Sequence, residues 1–390
     1  MTLKNENKKV VALVAGTRPE VIKMSPVYFA LQESEILRPV ILSTAQHRQM
    51  LDQAFGAFGI TPEFDLDLMR PGQDLTGLTA RVLEAVGKFL HDESPDAILT
   101  QGDTTSVLAS SIAAFYAKVP VGHVEAGLRT HNMDSPWPEE MNRRLVDPLC
   151  RWCFPPTELS LQNLLEEKIP EDRCYVTGNT VIDALFHIRE KLRERGVTAS
   201  DLGIEVPAAF RERFLEDENS KWILVTGHRR ESFGGGFENI CKSILRVVEE
   251  HPEVGVLYPV HLNPQVREPV GKYLEGHDRI ALVEPAAYED FIWLMDRCHL
   301  ALSDSGGVQE EAPSLGKPVL VMRETTERPE GVDAGTCVLV GTDPDRISSE
   351  VKILMEDQAE YDRRSQLNNP YGDGNSAGRI REVLERDLAG

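Results

Sequence analysis

Three acidic positions and one histidine stand where the chain has just left an apolar run and begins to turn. Asp103 follows Ala97, Ile98 and Leu99 through Gln101 and Gly102, and precedes Thr104 and Thr105. Glu125 follows His123 and Val124 and precedes Ala126 and Gly127; Glu139 and Glu140 sit between Pro138 and Met141. Carboxylates that converge push one another's pKa values apart, which is what separates an acid from a base in proton chemistry. The plain alternative for Asp103 is a helix cap, because the residues after it are helix-forming. Glu125 resists that alternative: the tight turn through Ala126 and Gly127 leaves no room to carry its carboxylate into solvent. His228 lies between Gly227 and two arginines, just ahead of Gly234, Gly235 and Gly236. A lone histidine is usually structural, but this company marks an anion site.

A second kind of chemistry is written in Leu302 to Glu311, where an apolar stretch passes through Ser303, Asp304, Ser305, Gly306 and Gly307 into a helix-forming run. Such a turn leaves backbone N–H groups at a helix start, which suits a diphosphate, and places Glu311 one turn in, where its carboxylate can accept from ribose hydroxyls. The same two glycines would equally serve a tight strand-to-helix turn and nothing more. The loop from Gly16 to Lys23 carries two cations, Arg18 and Lys23, over another helix start. A dinucleotide fold wants G-x-G-x-x-G there and an acid about 20 residues on, and neither is present. Arg18 and Lys23 are positioned to neutralise phosphate, or are simply surface cations.

The elements that must position these residues are short apolar runs alternating with segments of helical periodicity. Val10 to Ala15, Pro39 to Leu42, Ala97 to Leu99 and Val119 to Val121 read as buried strands; the pattern restarts after Gly178 with runs at Trp222, Val256, Ile280, Leu300 and Val319. Alternation of this kind implies parallel sheets covered on both faces. The expected fold class is therefore α/β, with two Rossmann-like doubly wound domains facing across a cleft: residues 1–178, and residues 179–374, with a terminal helix over 375–390 packing back on the first. Functional groups in such sheets belong beyond the carboxyl ends of the strands, where nearly every polar cluster above falls.

The 390 residues are too many for one ordinary core. With 42 Lys and Arg against 63 Asp and Glu the net charge is −21, so nucleic acid and anionic membrane are excluded as nonspecific partners and an anionic ligand needs a local positive pocket. The first residues lack a signal-peptide apolar stretch and no run long enough to span a bilayer occurs, which points to a cytoplasmic location. Six scattered cysteines argue against a disulfide framework. Cys150 and Cys153 have C-x-x-C spacing, but no second pair or histidine set completes a zinc site, and their neighbours suggest packing.

Taken together these segments resemble the non-hydrolysing UDP-N-acetylglucosamine 2-epimerases of bacteria. The strings GTRPEVIKMSP, TAQHRQMLDQ, QGDTTSVLA, GHVEAGLRT, PWPEEMNR, VTGNTVIDAL, TGHRRESFGGG, YPVHLNP, LSDSGGVQEEAPSLGKPVLVMRETTERPE and NPYGDG appear in that order and span almost the whole chain. The resemblance implies a GT-B arrangement, a homodimer, and neither nicotinamide nor metal. It makes Asp103, Glu125 and Glu139 the acid/base set, with the face each works on left open, and His228 the assistant of the leaving diphosphate. It also makes Arg18 and Lys23 phosphate and cleft contacts, puts Ser305, Gly306 and Gly307 around the diphosphate, gives Glu311 the ribose, and lays Phe291 against the nucleoside. A second UDP-N-acetylglucosamine acting as allosteric activator would meet Gln46, Gln49, Arg70, Glu140, Arg229 and His261. Arg144 and the stretch from Asp147 to Pro155 depart from the family's small-residue pattern, so altered helix packing near Glu139 is expected.

Rival readings on the same fold are a 2-epimerase of a modified sugar such as UDP-diacetamido-glucuronate, a hydrolysing epimerase, and a GT-B glycosyltransferase. A regulatory UDP-sugar-binding protein is the non-enzyme alternative, against which Asp103, Glu125, Glu139 and His228 together weigh.

Overall fold

The computed structural model describes residues 8–44, 48–68, 70, 72 and 74–389. Two compact units divide the chain, one of Met1–His187 with Tyr371–Gly390 and one of Ile188–Pro370. The expected boundary at 374 lies just past the second changeover, in the loop ahead of the last helix, and the expected one at 178 differs from the first, which falls inside one continuous helix that no break in apolar pattern announces. Gly178 instead marks a left-handed turn just ahead of that helix.

In the first unit the strands are β1 (Lys9–Ala15), β2 (Leu37–Ser43), β3 (Phe64–Asp65), β4 (Ala97–Gln101), β5 (Val121–Val124) and β6 (Trp152–Phe154). They form a parallel sheet in the order β3-β2-β1-β4-β5-β6. Between them run α1 (Arg18–Gln32), α2 (Arg48–Phe58), α3 (Leu75–Glu93), α4 (Thr105–Ala117) and α5 (Glu139–Val146), followed by α6 (Glu158–Glu166) and α7 (Thr180–Glu194). After β1's first residue every side chain of that strand is buried, as a strand covered on both faces requires. The pairing of Val11 to Leu13 with Ala97 to Leu99 sets the carboxyl ends of β1 and β4 side by side. The chain order reverses direction between these two strands, which makes their ends the switch point where such sheets bind ligands.

The second unit opens with a single turn, α8 (Ala208–Phe210), and repeats the plan with β7 (Trp222–Thr226), α9 (Gly235–Glu250), β8 (Gly255–Pro259), α10 (Pro264–Leu274), β9 (Ile280–Val283), α11 (Tyr288–Arg297) and β10 (Leu300–Ser303). It continues with α12 (Gly306–Glu311), β11 (Val319–Val321), α13 (Pro329–Asp333), β12 (Cys337–Leu339), α14 (Pro344–Glu356) and α15 (Gln358–Ser365). The sheet order is β12-β11-β10-β7-β8-β9, the same topology read from the other edge, with its switch point between β7 and β10. Thr226 pairs with Ser303 at the strand ends, and their hydroxyls meet at 2.6 Å.

The last helix, α16 (Ser376–Leu388), belongs to the first unit and packs on α1. Ala377 N donates to Asp183 Oδ1 at 2.9 Å, and Trp152 Nε1 to Asp387 Oδ2 at 2.8 Å. The stretch from Asp147 to Pro155 thus anchors this returning helix through Trp152. Arg144, on α5, pairs with Glu167 at 3.2 Å. All six cysteines are free thiols and all but Cys174 are buried. Among the described residues no helix is long and apolar enough to cross a membrane.

Candidate functional site

At the end of β5, Glu125 takes a left-handed backbone conformation, with φ of 66°. A non-glycine residue there is costly, and such strain clusters at functional sites. The turn is fixed by its neighbours: Glu125 N and Ala126 N both donate to Phe154 O, at 3.1 and 3.3 Å. At Gly127, φ is 81° and an added Cβ would lie 2.2 Å from Ser160 O, so only glycine completes the turn. The Glu125 side chain is 4% exposed and its carboxylate is gripped from three directions. Lys23 Nζ, from α1, reaches both oxygens at 2.6 Å; Gln101 Nε2 donates from β4, and Asn179 Nδ2 donates at 3.3 Å. Asn179 is itself fixed by its backbone N–H donating to Tyr371 O at 2.7 Å. Lys23, expected to neutralise phosphate, is therefore the counter-ion of a buried carboxylate, a pairing that desolvated charges require.

Asp103 is half-buried and is not the cap of α4. Thr104 is, accepting from Val107 N at 3.3 Å. Asp103 belongs instead to a brace with α5: Asn142 Nδ2 donates to its carbonyl at 2.8 Å and Arg143 Nη1 lies 3.2 Å from its carboxylate. Glu139, half-buried, is the first residue of that same α5 and follows two cis prolyl bonds, at Pro136 and Pro138. Glu140 points the other way, into the protein, where it accepts from Thr130 N and His131 N at 3.0 and 3.1 Å and meets Arg143 at 3.3 Å.

Two buried groups support these loops and escaped the sequence reading. Glu20, on α1, accepts from Gly16 N at 2.6 Å, Thr17 N at 3.0 Å and Thr104 Oγ1 at 2.7 Å, tying the loop after β1 to the loop after β4. Burial lifts its carboxyl to about 7, against the pull of those three donors. Its signal was present, since Thr17 followed three residues later by Glu20 is a helix-start pattern. His123 bridges Gly102 O at 2.8 Å and Asp147 Oδ1 at 2.6 Å, beneath Asp103. Burial would raise the Asp147 carboxyl, but His123 and Arg129, the latter at 2.6 Å, hold it below the usual range. Nothing local in the sequence distinguishes His123 from a core histidine.

In the second unit His228 follows β7, with its side chain 43% exposed. Its ring stacks on that of His261, centroids 5.5 Å apart. Partial burial holds the His228 pKa below its ordinary value; Asp304 opposes this, and Arg229 and His261 add to it. Across the switch point, Ser305 precedes the first turn of α12, and its N–H donates to Ser303 Oγ at 3.0 Å. At Gly306 an added Cβ would lie 2.9 Å from the Arg328 guanidinium, so the backbone there is approached closely by a cation. Arg328 is balanced by Glu310 at 2.7 Å and Glu327 at 3.2 Å. Glu327 also meets Arg229 at 3.0 Å; burial would raise its carboxyl, but Arg328, Arg323 and Arg229 bring it to about 2.

Glu311 is buried at the end of α12 and accepts from the Tyr288 hydroxyl at 2.8 Å. Tyr288 opens α11, and Phe291 lies one turn further along the same helix. Nothing in the sequence singles out Tyr288 as the partner of Glu311. Arg18 stands half-buried at the start of α1. Of the residues expected at an allosteric site, Gln46 lies outside the described residues, Gln49 falls in the first turn of α2 and Arg70 is in an exposed loop before α3. Glu140 is the internal brace described above, and Arg229 and His261 stand beside His228.

A pair of doubly wound units, one bearing buried carboxylates at its switch point and the other a glycine turn into a helix, defines a Rossmann-like nucleotide-handling enzyme. A family model described as UDP-N-acetylglucosamine 2-epimerase matches residues 29–385. The UDP-N-acetylglucosamine 2-epimerase of Yersinia pestis is 54% identical over 375 residues, 96% of this chain and 98% of that protein. Among solved structures, UDP-GlcNAc 2-epimerase from Neisseria meningitidis bound to UDP-GlcNAc has a TM-score of 0.84 and 47% identity, covering 97% of this chain and 100% of that one. The S. aureus MnaA co-structure with UDP has a TM-score of 0.84 and 39% identity, covering 98% and 97%. The chain belongs to the UDP-N-acetylglucosamine 2-epimerase family.

Proposed function

We propose that this protein interconverts UDP-N-acetylglucosamine and UDP-N-acetylmannosamine by inverting carbon 2 of the sugar. The single observation that carries the reading is Glu125: a strained, buried carboxylate at the end of β5, beside the switch point and held by Lys23 and Gln101, in a chain matched to a relative of this family over 96% of its length. The proton on carbon 2 is not acidic enough for simple abstraction, and the loop after β1 has one glycine where hydride chemistry on a dinucleotide wants three. Elimination resolves this. A carboxylate takes the proton from carbon 2, the bond from carbon 1 to the diphosphate oxygen breaks with its electron pair, and 2-acetamidoglucal and UDP result. Return of the proton to the opposite face of carbon 2, with the diphosphate oxygen rejoining carbon 1, gives the epimer.

Asp103, Glu125 and Glu139 are the acid/base set of this proposal, and His228 meets the diphosphate oxygen as charge develops on it. Ser305, Gly306 and Gly307 hold the diphosphate through backbone N–H groups, Arg18 adds positive charge, Glu311 takes the ribose and Phe291 the nucleoside face. Preorganised donors of this kind act on the charge of the departing UDP and so on both directions of reaction. Incubation with UDP-N-acetylglucosamine in heavy water, followed by proton NMR, tests the reading. The expected result is a mixture of the two UDP-sugars with deuterium at carbon 2 and no free sugar. Accumulation of free N-acetylmannosamine would make the protein a hydrolysing enzyme. An unchanged spectrum with UDP still bound would move the assignment to a modified sugar or to a transferase.

A further inference from the structure

His228 and Asp304 leave neighbouring strands of the second sheet, β7 and β10, at the same level. Asp304 is fully buried. Its Oδ2 accepts from His228 N at 2.7 Å and from Arg229 N at 2.8 Å, which fixes the loop. Its Oδ1 is buried without a hydrogen-bond partner among the described residues, and His228 Nδ1 lies 3.3 Å away. A buried carboxylate oxygen with no donor is costly, and a small rotation of the half-exposed ring turns the Nδ1 proton onto it. Hydrogen bonds of catalytic groups are often this loose before substrate arrives.

We propose that Asp304 is the positioning residue of His228: it holds the imidazole with the Nδ1 proton inward, so that Nε2 is the nitrogen offered to the diphosphate. The inference rests on the reading of His228 as the group that meets the departing UDP. The groups facing the ring are Asp304 from β10, Arg229 on its own loop and His261 from the loop after β8; the Tyr258 hydroxyl on β8 is taken up by Gly227 O at 3.3 Å. Only Asp304 among them favours a charged imidazole. When the diphosphate binds, its negative charge draws a proton from solvent to Nε2. The resulting imidazolium, balanced by Asp304, donates a hydrogen bond to the oxygen that leaves carbon 1 and keeps its proton throughout. The neighbouring carboxylate thus sets both the tautomer and the direction of the donor.

Asp304→Asn separates this role from simple anchoring of the loop. Asparagine keeps an oxygen for His228 N and Arg229 N, but presents an amide donor to Nδ1 and so reverses the tautomer. The experiment is long-range proton–nitrogen NMR of the full chain labelled at histidine nitrogen, with His228→Gln identifying the signal, alongside steady-state kinetics. In the unsubstituted chain the neutral ring should carry its proton on Nδ1. In Asp304→Asn it should carry it on Nε2, with kcat lower by about 100-fold and UDP affinity within about threefold. An Nε2–H ring in the unsubstituted chain overturns the proposal whether or not the variant folds. So does an unaltered tautomer in the variant, or a variant that turns over at the original rate. An Nδ1–H ring that reverses in the variant, in a chain with no epimerase activity, leaves the hold of Asp304 standing and removes the functional reading instead.

Discussion

The two switch points share one strand order and are furnished in opposite ways. In the first unit, side chains dominate: Glu125 is locked by Lys23, Gln101 and Asn179, Asp103 by Arg143, and Glu20 joins the two loops from below. In the second, a turn of small residues forms the strand-to-helix connection, and the arginines around it, Arg229, Arg323 and Arg328, are paired with Glu327, Glu231 and Glu310. On the proposed function a fixed scaffold carries two chemistries, proton transfer in the first unit and anion binding in the second, and the fold alone chooses neither.

The sharpest way to break this division is Glu125→Gln. Turnover should fall by about 1,000-fold or more while UDP affinity, read by calorimetry, stays within a few-fold; weakened UDP binding with turnover retained would reverse the assignment of the two regions. Next in size, Lys23→Met strands a charge in a buried site. A loss of about 3 kcal/mol is expected in denaturant melts, and an unchanged midpoint would mean the pair carries no structural weight. In the second unit Tyr288→Phe removes the donor to Glu311, at a cost of about 1 kcal/mol. UDP should bind about fivefold more weakly, with kcat at saturating substrate unaltered; a fall in kcat alone would move Glu311 from binding to chemistry.

The units should also part company in acid. His299, held by burial at about 4 and stacked on Tyr361, has a folded pKa below its unfolded value. Its contribution to stability is therefore present above about 6.5 and lost as pH falls towards 4. Glu20 runs the other way: raised to about 7, it favours the fold most below about 4.5 and loses that contribution as pH rises through 7. Between pH 7 and 5, amide protection factors, exchange rates corrected for their intrinsic pH dependence, should fall in the second unit around β10 and α15 while the loops after β1 and β4 keep or gain protection. His299→Gln should remove the acid response; a fall in protection in both units alike would contradict it. The smallest effect is Trp152→Phe, which deletes the bond to Asp387: about 1 kcal/mol and a fall of about 2–4 °C in melting temperature.

Much of this was legible in the chain because strand ends can be read from apolar runs, and ligand chemistry collects at strand ends. Asp103, Glu125, His228 and Ser305 were expected beyond strand ends for that reason, and each lies just past one, after β4, β5, β7 and β10. What could not be read is partnership over distance. Lys23 looked like a phosphate contact because its carboxylate is 102 positions away. Asp304 sat in plain view between two serines, but its meaning depends on β7 lying beside β10, 76 positions earlier. His123 and Asn179 are likewise defined by Gly102, Asp147 and Tyr371, which only the folded sheet brings to them. Periodicity reports which face of an element is buried; it does not report which polar group waits on the other side.

The return of the chain to its first unit has a consequence for biosynthesis. Asn179 touches Glu125 and is itself fixed by Tyr371, and α16 closes over α1. Most of the first sheet is made early, yet Tyr371 and α16, which complete the surroundings of Glu125, follow the whole of the second unit. Domains generally fold as they emerge, at about 5–20 residues per second, so the carboxylate corner waits some tens of seconds, incomplete, while the whole of the second unit is made. A chain interrupted within the second unit would therefore lack the hold of Tyr371 on Asn179, and on the proposed function its acid/base corner would stay incomplete however well the second unit had folded.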